Sequence, residues 1–316
     1  MIYRSITRLI SYLDRRLIYK FAYWHARVFS LICRWTAVPL QLPSYPLEVM
    51  GLHFPNPVGL AAGFDRDGSL FPGIACAGFG FVEIGTINSD SEKDPDEELT
   101  AIARSLQQAG IRSLPADQSV ARPLIGISMG SMRDQPDERS VADFLKGMAA
   151  LWRHADYLVV NLSRPGSLAR TMVTDNRELP GLLKEIKQAH TVLTVNSGRK
   201  VPLIIKLAID YRQENIALPD AITVAGELGF DGVLAAFEKW PCRASVNQCV
   251  RELSATISPL SLIAVGGIRS AEDARQTIEA GAALVQLFTT LTEQGPLQTR
   301  RMITRLTELS AERVDF

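Results

Sequence analysis

Lys206 ends the apolar run Leu203-Ile204-Ile205. A lysine placed so points into the mouth of whatever the strand encloses, where its charge can stabilise negative charge developing on a bound, reducible ring. The plainer role is a partner for Asp210 or another acid at a strand end. Asn161-Leu162-Ser163-Arg164-Pro165 follows a second apolar run. Asn161 there suits ring carbonyls or a substrate amide, with a turn or helix-cap role as the alternative. Gly266-Gly267 opens toward a helix. Their N–H groups, the helix amino end and Thr289 or Thr290 would make a phosphate cradle; a tight turn is the plainer reading. Ala61-Ala62-Gly63-Phe64-Asp65-Arg66-Asp67-Gly68, Gly85-Thr86, Ser128-Met129-Gly130 and Ala236-Phe237-Glu238 complete the set. Small residues, hydroxyls, an amide and one lysine suit a flat polar ring system with a phosphate tail.

These residues sit at the ends of eight short apolar runs: Val58–Leu60, Phe81–Ile84, Leu124–Ile127, Tyr157–Asn161, Leu203–Leu207, Gly232–Ala235, Leu262–Val265 and Leu284–Leu287. Near-continuous apolar composition is the pattern of strands buried on both faces. Amphipathic stretches such as Ser140–Arg153 and Ala271–Ala280 lie between them. Asp137 or Ser140 can begin the first, and Ser270 can cap the second with Asp273 three residues on. Eight strand–helix units predict an α/β fold, a (β/α)8 TIM barrel with its chemistry at the carboxyl ends of the strands. Leu47–Val49 and Leu52–Phe54 flank Met50-Gly51 and read as a small hairpin closing the barrel bottom. The competing fold is a doubly wound open sheet, whose GxGxxG fingerprint is missing here.

The 316 residues carry 34 basic and 34 acidic side chains and 47% apolar residues. That is globular chemistry with length for a large core, and the neutral balance argues against a nucleic-acid partner. The balance is uneven, however. Residues 1–40 hold seven basic groups against Asp14, a formal +6, and residues 41–316 a formal −6. Ile6, Leu9, Ile10, Leu13 and Leu17 form a helical apolar stripe within that basic segment. The pattern fits a helical domain over 1–40 lying in a membrane interface, with a helical pair packed on the protein as the alternative. No run reaches the length that spans a bilayer. Pro39, Pro43 and Pro46 end the segment, and 41–316 forms the barrel domain. Cys33, Cys76, Cys242 and Cys249 form no CxxC pair and His25, His53, His154 and His190 do not cluster, so no metal site is expected. The scattered thiols are compatible with a reducing cytoplasmic setting.

Taken together, the sequence resembles the membrane-associated, quinone-dependent class of dihydroorotate dehydrogenases over nearly its whole length. The resemblance runs through Met50-Gly51-Leu52, Asn56-Pro57-Val58-Gly59-Leu60 and Ala61 to Gly68. It continues in Gly78-Phe79-Gly80-Phe81-Val82-Glu83-Ile84-Gly85-Thr86, Asn161-Leu162-Ser163, Ile205-Lys206-Leu207-Ala208, Gly266-Gly267-Ile268, Ala280-Gly281-Ala282 and Val285-Gln286. It implies an FMN-containing barrel with an N-terminal helical lid, under which a lipid quinone reaches the flavin while dihydroorotate is oxidised at the other face. It also implies a peripheral location on the cytoplasmic face of the membrane. By similarity, Ala62, Gly63, Thr86, Asn161, Lys206, Gly266 and Gly267 hold FMN.

The departures from the family pattern concentrate at the substrate. Where the family has Asn-x-Ser-Ser-Pro-Asn, with the second serine as base, this chain has Asn161-Leu162-Ser163-Arg164-Pro165-Gly166. Arg164 stays protonated at ordinary pH and cannot remove a proton. Ser163 is adjacent but projects differently, a poor substitute. The family's Asn-Arg-x-Gly-Phe-Asn-Asn stretch is reduced to Ala109-Gly110-Ile111-Arg112-Ser113-Leu114-Pro115, its Asn-Thr becomes Phe237-Glu238, and Trp240-Pro241-Cys242-Arg243 occupies the region of its Gly-Gly-x-Ser-Gly loop. Arg66 replaces a lysine and changes the hydrogen-bond fork. One missing buried hydrogen bond costs about 1–3 kcal/mol, so several together would abolish orotate recognition. Arg66, Arg112 and Arg164 would suit another small anionic substrate. The two implied readings are an FMN oxidoreductase with standard dihydroorotate oxidation in doubt, and a non-catalytic FMN-binding or membrane-associated scaffold.

Overall fold

The computed structural model describes residues 3, 6–7, 15–36, 42–87, 95–108, 122–130, 138–163, 179–209, 220–237 and 246–311. Eight parallel strands close into a barrel: β3 (Val58–Leu60), β4 (Phe81–Ile87), β5 (Leu124–Met129), β6 (Tyr157–Asn161), β7 (Leu203–Ile209), β8 (Gly232–Phe237), β9 (Ser261–Val265) and β10 (Leu284–Leu287), with β10 paired to both β9 and β3. All eight predicted strands are present. Those at 58–60, 157–161 and 284–287 keep their predicted ends. Four others run two or three residues further, to Ile87, Met129, Ile209 and Phe237, and β9 starts one earlier. Pairing with a parallel neighbour continues past the apolar run, as in Gly85 opposite Ser128 and Ile209 opposite Phe237. Backbone hydrogen bonds, not side-chain polarity, set where a strand stops.

The barrel interior is filled by rings and branched chains. Phe81, Tyr157, Val159, Ile204, Leu234, Ile263 and Leu284 form one buried cluster with Val49 and Phe54. Glycine makes room for the rings: a Cβ on Gly59 would collide with the Phe81 ring, and one on Gly126 with the Tyr157 ring. Val49 and Phe54 come from the antiparallel hairpin of β1 (Leu47–Val49) and β2 (Leu52–Phe54), so the hairpin closes one end of the barrel as its sequence predicts. Met50 and Gly51 turn it with φ of 56° and 74°, the double positive φ that matches strand twist in a two-residue loop.

Helices cover the outside. In chain order they are α1 (Arg15–Thr36), α2 (Phe71–Cys76), α3 (Pro95–Gln108), α4 (Glu138–Leu151), α5 (Leu179–Ser197), α6 (Asp220–Glu227), α7 (Val246–Ile257), α8 (Ala271–Glu279), α9 (Thr289–Gln294) and α10 (Pro296–Ala311). The stretch predicted at 140–153 begins and ends two residues earlier, with Asp137 outside the described residues. Helix α8 opens on the predicted capping box: Ser270 Oγ accepts from the Asp273 N–H at 3.1 Å, and Asp273 Oδ2 accepts from the Ser270 N–H at 2.9 Å. Of the predicted N-terminal stripe, Leu9, Ile10 and Leu13 fall outside the described residues, whereas Ile6 and Leu17 are exposed. Helix α1 buries Ala22, Ala26 and Ser30 and exposes Trp24, Leu31, Ile32 and Trp35. No helix among the described residues is long and apolar enough to cross a membrane.

Candidate active site

Closing the barrel gathers the polar residues that the strands carry at their carboxyl ends. Register places Asn161 of β6 directly beside Lys206 of β7. Asn161 is buried, and its Nδ2 donates to Thr86 Oγ1 at 2.8 Å. The Thr86 and Ser128 hydroxyls lie 3.3 Å apart. Asn161 Oδ1 accepts twice from Ser163, from its N–H at 2.9 Å and its hydroxyl at 2.8 Å. Three strand ends are thereby cross-linked by side chains, and Asn161 has the turn role that the sequence offered as its plainer reading.

Lys206 is paired across the barrel with Glu83, Nζ to Oε1 at 3.0 Å, an acid of another barrel strand, while Asp210 lies outside the described residues. The other Glu83 oxygen accepts from Gln286 Nε2 at 2.6 Å. Glu83 is fully buried and Lys206 is 7% exposed. A charge so far from water persists only when paired and hydrogen-bonded. Beneath them, burial and then the Glu83 charge push the Tyr157 phenol well above its ordinary range. Glu83 and Gln286 were not singled out from the sequence as site residues. Their signal was a carboxylate and an amide inside runs otherwise buried on both faces.

The loop after β3 forms another side of the mouth. Gly63, at φ 99°, donates its N–H to Gly85 O at 2.6 Å, and Ala61 N–H donates to Leu287 O at 3.0 Å. Ala62 and Gly63 are half-buried there, while Arg66 is exposed. Asp65 is fully buried, and its Oδ2 has no hydrogen-bond partner. Burial first, and the neighbouring Asp67 charge second, raise its carboxyl to about 8. Tyr19 reaches down from α1: its hydroxyl donates to Gly63 O at 2.9 Å, and its ring lies parallel to Phe288 with centroids 6.3 Å apart. Sequence reading missed Tyr19, whose only signal was its place in an aromatic-rich basic segment.

Gly266 and Gly267 end β9 with φ of 121° and 75°. A Cβ on Gly266 would strike the Phe237 carbonyl oxygen, so the chain there is bare backbone by necessity. Helix α9 follows β10 with Phe288 before it and no side-chain cap. Thr289 is exposed at its start, and the buried Thr290 hydroxyl donates to Ile268 O at 2.5 Å, tying the β10 end to the loop after β9. Side-chain-free backbone after β9, a helix start after β10 with no side-chain cap, and a lysine beside an amide form a set that fits a phosphate-tailed polar ring. Arg164, Gly166, Arg112, Glu238 and Trp240 to Arg243 lie outside the described residues.

Comparison with known proteins agrees with the barrel fold. The family model for dihydroorotate dehydrogenase matches residues 46–238 and 241–309. A dihydroorotate dehydrogenase (quinone) of Azotobacter vinelandii is 34% identical over 300 residues, covering 85% of this chain and 86% of that protein. One from Thiobacillus denitrificans is 33% identical over 295 residues, covering 83% and 87%. The crystal structure of the Eimeria tenella enzyme in complex with ferulenol superposes with a TM-score of 0.72 at 23% identity, over 95% of this chain and 93% of that one, and shares its fold. The chain belongs to the dihydroorotate dehydrogenase family, in its quinone-dependent class, whose members are FMN-dependent flavoproteins.

Proposed function

We propose that this chain is an FMN oxidoreductase that has lost the proton-removing group for dihydroorotate. The observation that carries this reading is the Ser163 hydroxyl. It donates to Asn161 Oδ1 at 2.8 Å and is buried, so the serine nearest the base position serves the turn that holds Asn161. The base position itself is Arg164, which has no lone pair to accept a proton at ordinary pH.

FMN, when bound, supplies a ring that takes up and returns two electrons. Thr86, Asn161 and Lys206 would hold the ring, Ala62 and Gly63 would line it, and Gly266, Gly267, Thr289 and Thr290 would hold the phosphate. Lys206 keeps a positive charge in the mouth, and Glu83 fixes its direction. Asn161 presents an amide already oriented by Thr86 and Ser163. Tyr19 and Phe288 cover the loop after β3 with rings, excluding water from that side. Arg66 and Arg164 favour an anionic substrate. The quinone-dependent relatives support a lipid quinone as electron acceptor. Residues 1–40 form the membrane-associating helical domain on the cytoplasmic face, and 41–316 the barrel domain. Exposed Trp24 and Trp35 beside exposed Lys20 and Arg27 support that division of labour.

The test is flavin retention. Purified protein passed through gel filtration should keep a flavin absorbance band at close to one FMN per chain. Colourless protein that stays colourless after FMN addition and removal of excess would refute the assignment. The same Ser163 hydrogen bond favours a second reading, a flavin-binding scaffold without turnover. Chemically reduced protein separates the two: prompt reoxidation by a water-soluble quinone marks the enzyme, and none marks the scaffold.

A further inference from the structure

Helix α1 lies against α2 at a contact made close by small residues. Gly73 N–H donates to Ser30 Oγ at 3.2 Å, and a Cβ on Gly73 would lie 2.7 Å from Ser30 Cα. Three residues further along both helices stand Cys33 and Cys76. A step of three keeps the same face of a helix, so the pair that follows Ser30 and Gly73 across this contact is a pair of thiols. The two side chains are hydrogen-bonded to one another, and both are half-buried. Arg300 of α10 closes the contact: its Nη1 donates to Cys76 O at 2.8 Å, and its charge acts on Cys33.

We propose that Cys33 and Cys76 are a dithiol modification site, which a low-molecular-weight disulfide converts into a covalent cross-link between α1 and the barrel. A disulfide needs Cα atoms within about 7 Å and Cβ vectors that do not diverge, and Ser30 and Gly73, three residues earlier on each helix, are where the two backbones come together. In the first step the Cys76 thiolate attacks one sulfur of the small disulfide, forming a mixed disulfide and releasing one small thiol. In the second, Cys33 gives up its proton to solvent and attacks Cys76 Sγ, releasing the other small thiol. Two protein thiols are oxidised and one small disulfide is reduced to two thiols. Burial, and next the hydrogen bond with Cys76, push the Cys33 thiol up to about 12, so Cys33 keeps its proton at neutral pH and acts second.

The cross-link has a functional consequence. The segment it closes, from Cys33 to Cys76, contains the hairpin, β3 and the loop Ala61 to Gly68. Tyr19 on the same helix bonds Gly63 O in that loop. Oxidation therefore fixes the helix over the mouth, and reduction frees it to move.

The experiment treats the purified full-length protein, folded, with excess oxidised glutathione, then alkylates remaining thiols in denaturant. The expected product has lost two hydrogens, keeps no glutathione at either cysteine, and yields one linked peptide pair joining Cys33 and Cys76. Limited proteolysis should release α1 more slowly from this form, and dithiothreitol should restore the original rate. Cys33→Ser should instead stall as a stable glutathione adduct on Cys76. Alkylation of both Cys33 and Cys76 after oxidation, a separate adduct on each, or a link to Cys242 or Cys249 would overturn the proposal.

Discussion

Lys206 and Glu83 show how much a single buried pair can decide. Removing one partner leaves an uncompensated charge in the barrel, which typically costs about 3–5 kcal/mol. Lys206→Met should therefore lower stability by that order in urea unfolding, and adding Glu83→Gln should recover part of the loss. Equal stability of the single and double variants would show that the pair is not coupled. Asp65 provides a pH signature. Its folded value of about 8 stands above its ordinary 3.8. Between these values the folded chain holds a proton that the unfolded chain has released, so stability falls as pH rises through the interval, at up to about 1.4 kcal/mol per pH unit. Asp65→Asn should flatten that slope in urea midpoints measured at roughly pH 5.5 and 8.5. The lysine was legible in the sequence because a strand end aims it. Its partner was not, since Glu83 stands 123 residues away and long-range pairing leaves no local mark.

The elements were easier to read than their limits. Strands buried on both faces announce themselves as apolar runs, and all eight barrel strands did. The carboxyl ends of four did not, because the ladder runs on, as through Gly85-Thr86 and Ser128-Met129, which look like loop chemistry. The capping box at Ser270 was legible because both partners lie within one helical turn. Ser270→Ala should cost about 1 kcal/mol in the thermal or urea transition. Packing of the N-terminal helices was among the readings the sequence offered, but the seam where α1 docks was not legible, since it depends on Gly73, a glycine that looks like any other in sequence. Gly73→Ala pushes a methyl into the Ser30 backbone, which cannot swing aside as a side chain would. Faster proteolytic release of α1 with an unchanged barrel core is the expected result. The substrate-loop departures, including Arg164, were legible only against a family pattern.

Across the whole molecule, a +6 segment is set against a −6 body. The positive segment exposes Leu17, Trp24, Leu31, Ile32 and Trp35 on the helix that Tyr19 ties to the mouth. Arginine and lysine beside exposed tryptophan favour a lipid interface over bulk water. The full chain should float with anionic vesicles and a form lacking residues 1–40 should not; equal flotation would remove the membrane assignment. The architecture thus has the barrel of its family with a helix docked over one side of the mouth. The most direct test is the flavin absorbance of the FMN-loaded protein on anaerobic addition of dihydroorotate. The band should remain oxidised over many minutes, whereas prompt bleaching would show that a working base is present and contradict the account.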